Sequence, residues 1–133
     1  MTDSKPAIGM DENRLRHCRG VGMKASELGR TLFGWSDEKC REMFVMGYLH
    51  DVGYQFAHEQ SEHEELGGAL LRSLWFTYWA EIFNHGNPDS TYRSEELLVL
   101  NLADMLTSRD GSATTIPARL ADIASRYGVE STQ

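Results

Sequence analysis

Cysteine is almost missing from this chain: Cys18 and Cys40 are the only two in 133 residues. They show no C-x-x-C spacing, so no disulfide framework is expected. Cys18 falls on an apolar helical stripe and reads as a small buried hydrophobe rather than a reactive thiol. Positive charge is also in short supply, with 13 Lys and Arg against 20 Asp and Glu and a net charge of -7. That balance argues against a nucleic-acid backbone or an anionic membrane as a standing partner. A small anionic substrate stays compatible, because a metal ion reverses the local field.

Long hydrophobic runs are absent too. No stretch reaches the ~18 apolar residues of a membrane span; the most apolar region, Leu70 to Phe83, is interrupted by Arg72, Thr77 and Glu81. The N-terminus lacks a basic segment followed by an apolar run, so no signal peptide is expected and a reducing, cytoplasmic setting is the default. What remains, 41% hydrophobic and 25% charged residues, is the composition of one globular domain with a single core.

Helical periodicity runs through that domain. Residues 1–10, with Pro6 and Gly9, read as a flexible N-terminal tail. From Asp11 to Leu32, Val21, Ala25, Leu28 and Leu32 recur at helical spacing, and His17 extends the stripe. Gly34-Trp35-Ser36 breaks the chain, and Ser36 or Asp37 caps a second helix reaching Asp51. There Met43 and Met46 lead to His50, while Phe44 and Gly47 lead to Asp51. Ser61 and Glu64 fit a capping box that places His63 in the first turn of a third helix ending near Leu74.

A fourth element from Phe76 reaches His85. Ser94-Glu95-Glu96 opens a fifth helix, with Leu97, Leu100 and Asp104 along one face. After the break at Gly111, Pro117 opens a last helix ending near Gly128. No period-2 alternation survives counting. The expected fold is all-α, a single compact bundle of about five to seven helices over residues 11–133.

Four of the five histidines, His17, His50, His63 and His85, lie on helical core faces with Asp51 and Asp104. His58 sits instead in a polar loop and reads as exposed. One inward histidine is ordinarily a hydrogen-bonded core residue. Six inward ligand-type residues would need six separate partners, whereas one shared metal site satisfies them together. Imidazole and carboxylate suit Fe, Mn, Zn, Co or Ni. Neighbours on a regular helix differ by about 100°, so His50 and Asp51 serve different ions, or Asp51 bridges two. Six ligands exceed a tetrahedral set and suit two divalent ions that activate a water between them.

In order, Arg14-x-x-His17-x-x-Gly20-Val21, Gly47-Tyr48-Leu49-His50-Asp51-Val52-Gly53, His63 to Leu71, Ile82-x-x-His85 and Leu102-Ala103-Asp104-Met105-Leu106 resemble the motifs of the HD-domain superfamily. These are all-helical, metal-dependent phosphohydrolases named for their His-Asp pair. The resemblance covers roughly residues 14–110. It implies a minimal site of His17, His50, Asp51 and Asp104, and His63 with His85 implies the binuclear branch, Asp51 bridging and central to catalysis. The implied chemistry is attack of metal-activated water on phosphorus.

One position departs from the pattern. Many two-metal members carry a phosphate-contacting lysine three residues after the Asp; here it is Tyr54. Tyr54, Arg14 and above all Arg109 are the expected substrate-binding groups, with Arg16 and Arg19 as further cations. Trp75, Phe76, Tyr78 and Trp79 pack the core or the face of a homodimer. Glu62, Glu64 and Glu65 read as a solvated face with a cap.

The expected function is hydrolysis of a phosphoester or phosphoanhydride in a small phosphorylated substrate, such as a nucleotide. Six-ligand members of the same superfamily also include mixed-valent di-iron oxygenases that cleave organophosphonates or polyols. A non-catalytic, metal-bound sensing module ranks third, since such modules usually lose ligands and all six are present here.

Overall fold

Three serine or aspartate side chains begin the helices where the sequence places them. In the computed structural model, which describes residues 11–55, 63–74 and 76–127 (for 54–55, 63–65 and 123–127 the backbone alone), Asp11 accepts from Arg14 N at 2.8 Å and starts α1, Glu12–Phe33. Ser36 accepts from Lys39 N and starts α2, Asp37–Leu49; Ser94 accepts from Leu97 N and starts α5, Glu95–Met105. Each cap satisfies an amide that the first helical turn leaves without a partner. Between α2 and α5 lie a 3-10 turn at Val52–Gln55, α3 at His63–Ser73 and α4 at Trp79–Asn84. The last helix, α6, spans Ile116–Tyr127, and no strand occurs among the described residues. The fold is an all-α bundle. No helix among the described residues is long and apolar enough to cross a membrane.

The core draws on five helices: Val21 and Ala25 from α1, Met43 and Met46 from α2, Leu71 from α3, Ile82 from α4, and Val99, Leu100 and Ala103 from α5. Met43 and Met46 are fully buried, their flexible stems filling irregular space between helices. Cys18 and Cys40 are buried and unbridged, as expected of small hydrophobes.

Three boundaries differ from expectation. The α1 stripe stops short, because Leu32 is 54% exposed and the buried line runs through Gly22 and Gly29 instead. Gly34 then closes α1 at φ 63°, its amide bonded to Arg30 O at 3.0 Å. The fourth helix begins at Trp79 rather than Phe76, since Phe76 and Tyr78 pack on the core from the preceding turn. The second helix ends at Leu49, and the chain tightens from there into the 3-10 turn. The tail 1–10, the Ser61 cap, His58 and Trp75 lie outside the described residues.

Helices α1 and α2 pack backbone to backbone. A Cβ added at Gly47 would stand 2.7 Å from Gly22 Cα, and one added at Gly22 would stand 2.6 Å from Phe44 O. The two backbones therefore touch, and this brings His17 and His50 to a ring separation of 5.3 Å. Alanine is the better helix former by about 1 kcal/mol, but here it would wedge backbone from backbone. We expect Gly47→Ala to lower stability by about 1–3 kcal/mol, read from urea denaturation. A stabilised variant would mean that the helices do not need this contact.

Candidate metal centre

Three imidazoles are held in one orientation by main-chain carbonyls. His17 Nδ1 lies 2.9 Å from Ser108 O, His50 Nδ1 2.6 Å from Gly47 O, and His85 Nδ1 2.6 Å from Ile82 O. A carbonyl only accepts, so each Nδ1 carries a proton and donates it. Each Nε2 is thereby the ligand-type nitrogen. All three rings are buried, at 5%, 0% and 2% exposure.

The Nε2 atoms converge on two carboxylates. His17 Nε2 lies 3.0 Å from Asp104 Oδ1 and 3.8 Å from Asp51 Oδ2. His50 Nε2 lies 3.3 Å from Asp51 Oδ2 and 3.7 Å from Asp104 Oδ1. His85 Nε2 meets the other oxygen of Asp51, Oδ1, at 3.6 Å. His50 and Asp51 thus do converge, contrary to the divergence of neighbours on a regular helix. The reason is the end of α2 at Leu49: His50 is its C-cap, and Asp51 enters the tighter turn.

These contacts are not ordinary hydrogen bonds. The 3.0 Å from His17 to Asp104 Oδ1 is within range, yet that buried oxygen has no aligned donor, and His50 Nε2 is buried without a partner as well. A bare nitrogen facing a carboxylate oxygen is repulsive unless a cation stands between them. A metal ion is such a cation, and donor atoms of His17, His50 and Asp51 lie within 4.8 Å of one another. The donor set fits a divalent transition metal.

Without a metal, a proton is the cation that the carboxylates draw to this place. Burial pushes His50 toward its neutral form, but Asp51 and Asp104 outweigh it and raise its pKa. Burial likewise opposes ionisation of Asp104, yet His17 and His50 hold its carboxyl well below the usual range. Burial and the Asp51 charge push the Cys18 thiol up, so it stays protonated beside the site.

A loop that sequence reasoning passed over as a chain break supports His17. Ser108 O accepts from Gly111 N at 3.0 Å as well as from the His17 ring, and Ser108 N donates to Ser112 O at 2.8 Å. Gly111 holds φ 92°, and a Cβ there would collide with Arg16 O of α1. Gly20 clears the path, since a Cβ there would stand 2.6 Å from Gly111 O.

Residues 14–128 match the family model for the HD domain. The chain belongs to the HD-domain family. Neither a curated protein nor a solved structure matches it. Membership places the chain in a superfamily of metal-dependent phosphohydrolases, and His17, His50 and Asp51 form a cluster that could hold a metal ion.

The remaining expected residues distribute unevenly around this HD centre. Asp104 and His85 join it, and Arg14 Nη1 lies 3.8 Å from Asp51 Oδ2. His63 opens α3 and Tyr54 lies in the 3-10 turn, but their side chains fall outside the described ones. Arg109, Arg16 and Arg19 are exposed. Another cation among the described residues at the site is one that sequence reasoning missed: Arg119 of α6, buried to 9% exposure, with Nη2 3.7 Å from Asp104 Oδ1. Its only sequence signal is its place in an amphipathic last helix.

Two outcomes are expected. Metal must displace the proton that the carboxylates favour on His50, whose pKa lies above the ordinary ~6.5. Metal affinity should therefore climb as pH rises through neutrality and fall in acid, as read by titration calorimetry; pH-independent binding would contradict the assigned Nε2 ligands. Gly111→Ala, which removes no ligand, should weaken metal binding by about 10–100-fold through the loosened Ser108 carbonyl. Unchanged affinity would mean that the loop does not orient His17.

Proposed function

We propose that this HD domain is a phosphohydrolase that uses metal-activated water to cleave a phosphoester or phosphoanhydride in a small phosphorylated substrate, such as a nucleotide, in a cytoplasmic setting. The observation that carries the reading is the convergence of three buried, tautomer-fixed Nε2 atoms on Asp51 and Asp104. His17, His50, Asp51 and Asp104 would hold the first ion. Divalent metal there supplies Lewis acidity and a water acidified enough to act as a nucleophile at neutral pH.

Asp51 is the residue that favours two ions over one. Its Oδ2 faces His17 and His50 while its Oδ1 faces His85, the disposition of a carboxylate shared between two centres. His85 and His63 would serve the second ion. Iron, manganese, zinc, cobalt and nickel all suit these ligands. Arg14 stands beside Asp51, where its guanidinium offers planar, charged donors to a phosphoryl oxygen.

The test is metal content together with phosphate release on protein purified without chelators. We expect about two equivalents of transition metal per chain, the paired ions of a two-metal hydrolase, and inorganic phosphate released from a panel of phosphoesters and nucleotides. Asp51→Ala should lose metal and activity together; an active variant with normal metal would overturn the shared-carboxylate role. Oxygen consumption with an organophosphonate or polyol, with no phosphoester cleaved, would replace this reading with the di-iron oxygenase one.

A further inference from the structure

Arg119 is a buried charge that ligation of the metal leaves unused. It sits in the first turn of α6, its amide bonded to Thr115 O at 2.8 Å, and its side chain is 10% exposed. The guanidinium reaches Asp104, Nη2 lying 3.7 Å from Oδ1, and Nη1 lies 3.5 Å from Asp122 Oδ2 one turn along. Neither contact is a hydrogen bond. Nε and Nη1 are fully buried and find no acceptor among the described residues.

A guanidinium carries five donors in a rigid fork, and leaving them unfilled away from water is strongly unfavourable. Asp104 is a poor answer to that demand, because Oδ1 is the oxygen turned toward His17 and His50. Once an ion shares that oxygen, Arg119 becomes a cation beside a cation, with only the unaligned Asp122 carboxylate at 3.5 Å on its other side, and its fork still has donors for a further anion. The anion must be compact and must present several oxygens to a planar fork, as a phosphoryl group does. The charges allow it. Among the described residues at the centre, Asp51, Asp104 and Asp122 exceed Arg14 and Arg119 by one negative charge, so two divalent ions leave net positive charge for the substrate.

We infer that Arg119 binds a phosphoryl oxygen of the substrate, supplying from α6 the positive charge that Tyr54 does not supply. The inference rests on the phosphohydrolase reading above.

The experiment compares metal-loaded wild type with Arg119→Gln and Arg119→Lys, using inorganic phosphate binding by calorimetry, metal content by mass spectrometry and the KM and kcat for phosphoester cleavage. Arg119→Gln should keep wild-type metal content and lose phosphate affinity by about 10–100-fold, the scale of one charge-assisted contact. KM should rise more than kcat falls. Arg119→Lys should recover part of the affinity, because it restores the charge without the fork. If circular dichroism finds Arg119→Gln unfolded, Arg119→Lys carries the test, with metal content unchanged and phosphate affinity below wild type.

Phosphate affinity unchanged in the variants would overturn the inference and leave the phosphohydrolase reading intact. Metal lost in proportion to phosphate would overturn it as well, making Arg119 a positioning residue for Asp104. Wild type that holds metal but neither binds phosphate nor cleaves phosphoesters would overturn the function itself, and this role with it.

Discussion

Two carboxylates set among buried imidazoles are the constraint around which the rest of this bundle is arranged. Asp51 is 5% exposed and Asp104 Oδ1 is fully buried, and carboxylates removed from water require compensating positive charge. Histidines protonated at Nδ1 alone do not supply it; a proton on Nε2, which the carboxylates favour on His50, or a metal ion does. The helices thus hold together a group of atoms that repel one another unless a cation is present. Packing elsewhere bears that strain. The backbone contact of Gly22 with Gly47 keeps α1 and α2 at the spacing that sets His17 against His50.

The ends of the helices contribute to the same field. His50 and His85 are both helix C-caps, and each gives both its amide and its Nδ1 to the carbonyl three residues back. Carbonyls in a last turn have no intrahelical partner, so the ring completes the helix while the helix fixes the ring. Asp104 likewise lies in the last turn of α5. The negative ends of α2 and α5 consequently face the centre along with the two carboxylates, and all four favour a cation there. A site built this way attracts metal and repels anions until metal is bound.

Much of this was legible in residue order, for reasons that are local. The Ser36 and Ser94 caps, the break at Gly34 and the inward steps from Met46 to His50 and from Leu100 to Asp104 depend only on neighbours within two turns. Leu32 was misread because periodicity cannot tell where a helix overhangs the core that its earlier turns cover. Helical periodicity alone set His50 and Asp51 apart, because their convergence depends on α2 ending one residue before the pair, a matter of tertiary packing. The motif resemblance and the bridging alternative already put them at one site. Gly111 looked like a plain interruption; its function, holding Ser108 O against His17, exists only once the loop folds back on α1.

Arg119 marks the limit of that legibility and completes the electrostatics. Read along α6, between the exposed Ile116 and Leu120, it looks like one more solvated arginine. It is buried only because the loop after α5 turns the first residues of α6 back over Asp104. Carboxylates and helix C-termini make the centre receptive to metal and hostile to phosphate, so positive charge for the substrate has to come from elements outside that arrangement. The first turn of α1 provides Arg14, and α6 provides Arg119. On the proposed reading, separating the two duties lets the metal ligands stay fixed by backbone carbonyls, while the anion is met by long side chains that approach from the helix starts.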